Sequence, residues 1–465
     1  MKTDFPKQKN WTVGIARQII TPPLHVELAG FGYYLNRTAE RVKDDLNATA
    51  LVVGDGENHF IAFVAVDLMY GDEAFTRAIR DRASAATGIA PEAICVNCSH
   101  SHNAPTAAEK ANKGVGEFNP EYIKSAATIA AETVVAAWRQ RKPANLSVGW
   151  GEVNGIAFNR TRENGPVDNR VSVLRADSLE GKPLAVVINH HTHLNAHLDA
   201  DPRAISRDLL GDVVDQGEKA LPGATAIYLQ GVCGDVMLRP EFTSTPRSFE
   251  PGQVIAKAVL HAWEKCQPIS GKGVQAVTRQ VQLPTRRWTR DEIMRDREEA
   301  LHRLKTGDTT DWLNGFARVI VTYPARLPVR YGGSVEKAVA AVSRFGVEWT
   351  DAILGDLDTR PEYVETEVQA IRIGNVWFAA NSAELFTTTG MEVRHRWPHP
   401  NLFLLGYSNG AIGYLPDAHD VERKSYAAYQ SPKFTGQFPF TTKSGDAMVA
   451  GLLSVLQQTD LRNIQ

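Results

Sequence analysis

Histidine gathers at two places in this chain. The first is Cys98-Ser99-His100-Ser101-His102, just after the apolar run Ala93 to Val96, and the second is Asn189-His190-His191-Thr192-His193, just after Leu184 to Ile188. Of 13 histidines, six (His100, His102, His190, His191, His193 and His197) lie in these two places. Each apolar run reads as a short buried strand whose end delivers imidazoles. Imidazole is the commonest protein ligand for zinc and the usual acid or base near neutral pH, so a metal centre or a proton-transfer site is the chemistry to expect. A single buried histidine is more often a satisfied core group, but clusters at two strand ends exceed what packing requires. Because side chains alternate along an extended segment, His100 and His102 are expected on one face, and His191 with His193 on one face opposite His190.

Other groups occupy comparable places. Glu384 follows the apolar stretch Trp377-Phe378-Ala379-Ala380, where a carboxylate is costly to bury unless it binds metal, pairs or shifts its pKa. The plainer reading is a carboxylate at a helix start, facing the positive end of the dipole. Gly406-Tyr407-Ser408-Asn409-Gly410-Ala411-Ile412-Gly413-Tyr414 joins flexible backbone to two phenols after another apolar strand. Gln230-Gly231-Val232-Cys233-Gly234-Asp235 is a glycine-bearing turn that either presents N–H groups to an oxyanion or makes a tight bend. It lacks the spacing of nucleotide-binding loops. Cys95 and Cys98 stand three apart on a strand and face opposite sides, so they read as small buried side chains rather than a metal pair.

The elements that would position these residues alternate between strand and helix. Leu51 to Val53 and Phe60 to Val66 form a hairpin across Gly54-Asp55-Gly56-Glu57-Asn58. A helix over about Asp72 to Thr87 precedes the strand leading to His100, and Asn119-Pro120 caps a helix running to about Arg141. Strands follow at Leu146 to Trp150, Val171 to Arg175, Leu184 to Ile188 and Ala226 to Leu229, with a helix over Ser206 to Ala220 between the last two. This is an α/β rhythm with parallel elements, in mixed sheets layered with helices. From Arg286 to about Thr350 the texture changes to a charged helical insertion, with helices opening at Thr289-Arg290-Asp291-Glu292 and spanning Ser334 to Phe345. It reads as a solvated insertion packed on the surface in preference to a lid. Strands resume at Val364 to Ile373 and Val376 to Ala380, then a helix to about Arg396, the strand Leu402 to Leu405 and a last helix over Ser444 to Thr459.

Composition limits the function classes. With 465 residues, 43% hydrophobic, 22% charged and a formal net charge of -2, the chain has ample core material and no basic excess to attract nucleic acid. No run approaches the roughly 18 apolar residues of a membrane span, and Met1 to Trp11 lacks the apolar core of a secretory signal. Four cysteines are too few for a disulfide scaffold, which fits a reducing compartment. The expectation is a cytoplasmic enzyme acting on a small molecule, without membrane insertion, and with homo-oligomerisation left open.

In order along the chain, several segments resemble the neutral ceramidase family. They begin with Ile20-Thr21-Pro22-Pro23, Leu28-Ala29-Gly30-Phe31-Gly32, Asp44-Asp45-Leu46 and Val66-Asp67-Leu68. Ser99-His100-Ser101-His102 is similar to that family's T-H-T-H-S, Phe158-Asn159-Arg160 to its N-R-S, Ser206-Arg207-Asp208 with Gly211 to its S-x-D-x-x-G, and Glu384-Leu385-Phe386-Thr387-Thr388 to its G-E-F-T-T. The resemblance covers about 400 residues and implies a ceramidase-like catalytic domain with a zinc ion held by His100, His193, Glu384 and Tyr414. His193 is chosen over its neighbours because its segment aligns with a family pattern of the kind N-F-A-x-H. His102 and Arg160 would contact the scissile amide or neighbouring groups of the substrate, and Tyr414 would be a weak ligand able to donate to the developing oxyanion.

One departure changes the expected chemistry. Where the family has G-D-V-S, this chain reads Gly234-Asp235-Val236-Met237, so no serine nucleophile stands there and activated water must serve. The last helix is expected to leave no room for the family's C-terminal β-sandwich, which would point away from ceramide and toward a soluble or moderately apolar N-acyl compound. The expected protein is thus a single catalytic domain over 1–465, with the insertion at about 286–350, that hydrolyses a linear amide with Zn2+. An esterase or lactonase using the same site, or a silent metal- or ligand-binding homologue, are the alternatives.

Overall fold

A computed structural model describes residues 11–30, 37–109, 117–197, 201–243, 246–312 and 333–460. Phe31 and Gly32, part of one segment quoted above, lie outside the described residues, as do 313–332 of the helical insertion.

The expected hairpin lies toward one end of the main sheet, next to its edge strand. Asn47–Gly54 and Phe60–Val66 pair antiparallel from Gly54↔Phe60 to Ala48↔Val66, and both are buried along nearly their whole length. Strands apolar on both faces need a layer on each side. The helix Pro120–Arg139, capped by the Asn119 side chain accepting from the Tyr122 N–H at 3.0 Å, supplies one layer. The helix Glu73–Thr87, capped by Asp72, packs beside it.

The sheet has nine strands. Its order is Thr225–Gln230, Pro183–His190, Arg170–Ser178, Lys142–Glu152, Trp11–Ile19, Asn47–Gly54, Phe60–Val66 and Ile94–Cys98, with Gln267–Pro268 paired to Lys142–Glu152. Parallel pairing is confined to its two ends, Phe60–Val66 with Ile94–Cys98 and Pro183–His190 with Thr225–Gln230, and the ladders between are antiparallel. The sequence rhythm suggested more parallel pairing. Short connections such as the Ser178 to Lys182 turn explain the difference, because a tight turn cannot make the crossover that parallel strands need.

The two ends of the sheet meet without closing a barrel. Asn97, in the Ile94–Cys98 strand, accepts from the Gln230 N–H at 2.7 Å and donates to the Gly406 carbonyl at 2.8 Å and to Ser408 Oγ at 3.0 Å. A second sheet of four strands, Val274–Pro284, Tyr363–Ile373, Val376–Asn381 and Leu402–Leu405, packs against the first. Phe378 joins the two layers, its ring 4.5 Å from Phe63 in one sheet and 4.4 Å from Phe403 in the other. Near the end of the Pro183–His190 strand, Asn189 donates to Leu229 and Leu404 carbonyls at 2.9 and 3.0 Å. Side-chain amides thus replace ladder bonds where three strand ends converge, and buried backbone groups stay paired.

Two boundaries differ from the sequence reading. The helix expected over Ser206 to Ala220 begins only at Leu209, because Ser206 and Arg207 bond Asp44 instead. The helix expected over Ser334 to Phe345 continues to Asp356, burying Phe345, Trp349 and Ile353. It packs on Arg290–Thr306, which opens with the capping box of Thr289 and Glu292. The inner side of this pair is not merely apolar: Lys433 Nζ lies 2.6 Å from Asp296 Oδ2, surrounded by Trp349, Tyr429 and Trp288 rings.

Candidate metal centre

The Ile94–Cys98 strand ends two residues before His100. His100 adopts the left-handed backbone region, φ 63°, and this turn brings His102 Nε2 within 3.2 Å of His100 Nε2. The two rings therefore converge through a turn and not through strand alternation. His100 Nδ1 faces the Met69 carbonyl at 3.2 Å, and His193 Nδ1 faces the Val236 carbonyl at 2.8 Å. A carbonyl only accepts, so each Nδ1 carries the hydrogen and each Nε2 presents its lone pair.

His191 does not share a face with His193, contrary to the alternation argument. The strand stops at His190, and alternation stops with it. His191 Nδ1 accepts from the Val232 N–H at 3.1 Å, and its Nε2 lies 3.5 Å from Asp168. Burial opposes ionisation of Asp168, but His191 and Arg394 outweigh it and hold the carboxyl at about 2. His190 bonds the Arg170 carbonyl and His197 faces Asp212, so neither enters the cluster.

Glu384 stands opposite the two histidines. Its Oε2 lies 3.3 Å from both His100 Nε2 and His193 Nε2, and its Oε1 accepts from the Tyr70 hydroxyl. The helix-start explanation fails, since the following helix spans Thr387–Arg396 with Phe386 as its cap. Instead Glu384 sits in a short parallel ladder opposite Tyr414, and its N–H bonds the Gly413 carbonyl at 2.9 Å. Gly234 runs so close beneath that a Cβ added there would lie 2.3 Å from the Glu384 carbonyl oxygen. The glycine turn after Gln230 is therefore needed for close approach.

Arg160 and Tyr414 form the adjoining wall. The Arg160 guanidinium lies over the Tyr414 ring at 4.9 Å and donates to the Gly234 carbonyl at 2.9 Å, and the Tyr426 ring meets Tyr414 edge-on at 5.9 Å. Met237 puts its sulfur 3.6 Å from Arg160. Asp235 ties this wall to Glu384's segment: it accepts from Thr387 N–H and hydroxyl on one oxygen and from Asn159 on the other.

The donor set fits a cation. One nitrogen from each of His100, His102 and His193 lies within 4.8 Å of the others, and all three residues are buried. Burial pushes His193 down to about 4, leaving its imidazole neutral at neutral pH. Two nitrogen lone pairs and a carboxylate oxygen directed at one another at 3.3 Å repel unless a positive centre lies between them. His, His and carboxylate are also the ligands of an open catalytic zinc site.

Tyr70 has no counterpart in the sequence reading. The signal was its place two residues after Asp67-Leu68 at a strand end, which is too weak to single out a phenol. Tyr407 was visible only as part of a glycine-rich segment; its ring stacks on His100 at 4.3 Å with 28° between planes.

No protein-family model and no curated protein matches the chain by sequence. Solved structures match over nearly all of it. The neutral ceramidase from Pseudomonas aeruginosa aligns with a TM-score of 0.72 and 16% identity, covering 97% of this chain and 75% of that one. A ceramidase complexed with C2 aligns with a TM-score of 0.70 and 15% identity, over 97% and 76% of the two chains. By its architecture, this chain has the neutral ceramidase-like fold.

Proposed function

We propose that the chain is a zinc-dependent hydrolase that cleaves the C–N bond of an N-acyl small molecule, with zinc held by His100, His193, Glu384 and Tyr414. The observation that carries this reading is the facing of two fixed Nε2 lone pairs and one carboxylate oxygen at 3.3 Å. Zinc bound there supplies a Lewis acid that polarises a carbonyl and lowers the pKa of water to about 7. The rest falls to the protein. Met69 and Val236 carbonyls fix the two histidine tautomers, and Tyr70 orients the carboxylate. Arg160 and Tyr414 offer positive charge and a hydroxyl where an oxyanion develops, and His102 Nε2 carries a proton toward the leaving amine.

The ceramidases that share the fold favour an amide over an ester as substrate. The approach of His102 Nε2 to His100 Nε2 at 3.2 Å favours a second assignment for that residue, as a third imidazole ligand. We further read residues 1–465 as one catalytic unit carrying the 286–350 insertion, working in the cytoplasm with its four cysteines as free thiols. Among the described residues, no helix is long and apolar enough to cross a membrane.

The test is metal analysis followed by a substrate panel. The purified protein should hold about one zinc per chain, and N-acyl compounds should turn over faster than matched esters. Zinc below about a tenth of that ends the metal reading. Faster ester turnover gives the esterase, and zinc without turnover of either gives the binding homologue.

A further inference from the structure

We infer that Tyr407 is a positioning residue that sets both His100 and Glu384, and that Cys233 holds its hydroxyl in place. The inference rests on the metal reading above and concerns residues that reading does not use. Tyr407 is 1% exposed, and its ring covers the His100 imidazole almost face to face. Its hydroxyl lies 3.2 Å from Cys233 Sγ and 3.5 Å from Glu384 Oε2. Gln230 Nε2 in turn donates to Cys233 Sγ at 3.1 Å.

Donor chemistry gives this chain of contacts one direction. The Gln230 amide can only donate through Nε2, so the thiol accepts there and passes its own hydrogen to the phenol oxygen. The phenol then donates to the carboxylate, an acceptor only. Burial keeps the Cys233 thiol protonated, pushed up to about 12, which agrees with its place as a donor.

Backbone conformation is a second, independent observation. His100 and Tyr407 are non-glycine residues in the left-handed region, with φ of 63° and 51°. Such positions persist only where the surroundings over-determine them. Here they do: the His100 N–H bonds the Leu68 carbonyl at 3.0 Å, and the Cys98 N–H bonds the Tyr407 carbonyl at 3.0 Å. The same two strained residues are the two that stack. The phenol thus fixes one imidazole by its face and one carboxylate by its hydroxyl, as groups behind metal ligands do.

The experiment compares full-length wild type, Tyr407→Phe, Cys233→Ala and Cys233→Ser by chelator competition for zinc, by thermal melting of the metal-free proteins, and by visible spectra of the cobalt-loaded proteins. Tyr407→Phe keeps the stacked ring and loses the hydroxyl. It should weaken zinc binding about tenfold or more and shift the cobalt bands, while the metal-free melting temperature stays that of wild type. Cys233→Ala should do the same to a smaller degree, and Cys233→Ser, which keeps a donor, should restore wild-type affinity. Zinc affinity within twofold of wild type in Tyr407→Phe overturns the inference, as does a loss of affinity matched by a lower metal-free melting temperature. Failure of the wild type itself to bind zinc would overturn the metal reading instead.

Discussion

Glu384 and Tyr414 are register partners in a parallel ladder that continues through Leu385 and Leu415. An acid and a phenol thirty residues apart in sequence are thereby locked to one backbone geometry. Gly234 is the floor on which that ladder rests. In Gly234→Ala the new Cβ would meet the Glu384 carbonyl, so the ladder must move and zinc retention should fall more than tenfold while far-ultraviolet circular dichroism stays native. Normal zinc content in that variant would show that the ladder does not set the site.

Removing the carboxylate is more direct. Glu384→Ala leaves the two imidazoles and Tyr414 without a carboxylate ligand, so bound zinc should drop below about a tenth of wild type and amide hydrolysis should vanish with it. Activity surviving in this variant would mean that the reaction happens elsewhere.

His102 separates two roles. As a proton carrier, His102→Gln should lower kcat by about a hundredfold at unchanged zinc content. As a third imidazole ligand, the same substitution should release the metal. Zinc content and kcat measured on one preparation decide between them, and wild-type values for both would remove His102 from the mechanism.

The histidine clusters and Glu384 were legible in the sequence as candidates, and the reasons are local. A strand followed by histidines is readable because apolar runs end where chemistry begins, and Glu384 stands out as a charge a few residues after such a run. What could not be read depends on where separate segments meet. The left-handed turn at His100, the divergence of His191 from His193 and the approach of Tyr70 to Glu384 are set by contacts between residues far apart in the chain. The Trp11–Ile19 strand, central in the sheet, gives no clear strand signal in the sequence, since Arg17 and Gln18 break its apolar pattern. Arg17 reaches across to pair with Glu218 at 2.6 Å, which makes its charge tolerable there.

Asp67 links stability to pH. It is buried, and burial lifts it from 3.8 to about 6 despite Arg207 and the Asn47 N–H, which donates to it at 2.9 Å. Between those values the folded chain keeps a proton that the unfolded chain has released. Its contribution is therefore full below about 3.8 and is lost as pH rises through about 6. Asp67→Asn keeps an acceptor for Asn47 and does not titrate. Denaturant titrations from pH 4 to pH 7 should show a decline in wild type that is smaller in the variant by on the order of 3 kcal/mol. Parallel curves would contradict the assignment.

Lys433 pins the helical insertion. With its side chain 1% exposed beside Asp296, replacing it by Met strands a buried carboxylate and should cost about 3–5 kcal/mol in denaturant unfolding. Adding Asp296→Asn should recover part of that loss. A single variant as stable as wild type would mean that the pair carries no structural role.

The Asn97 junction makes the proposed metal site a report on the whole chain. His100 follows one end of a nine-stranded sheet and His193 follows a strand beside the other, and the two ends are held together by one amide with the Gly406 segment. No contiguous fragment short of about residues 97–408 contains all the pieces that this amide joins. Metal affinity should therefore arise late in folding, after the most distant loops have closed, and be lost early when the sheet ends part. Zinc release during unfolding would then precede the loss of secondary structure, so that the metal records the integrity of a seam rather than of any single strand.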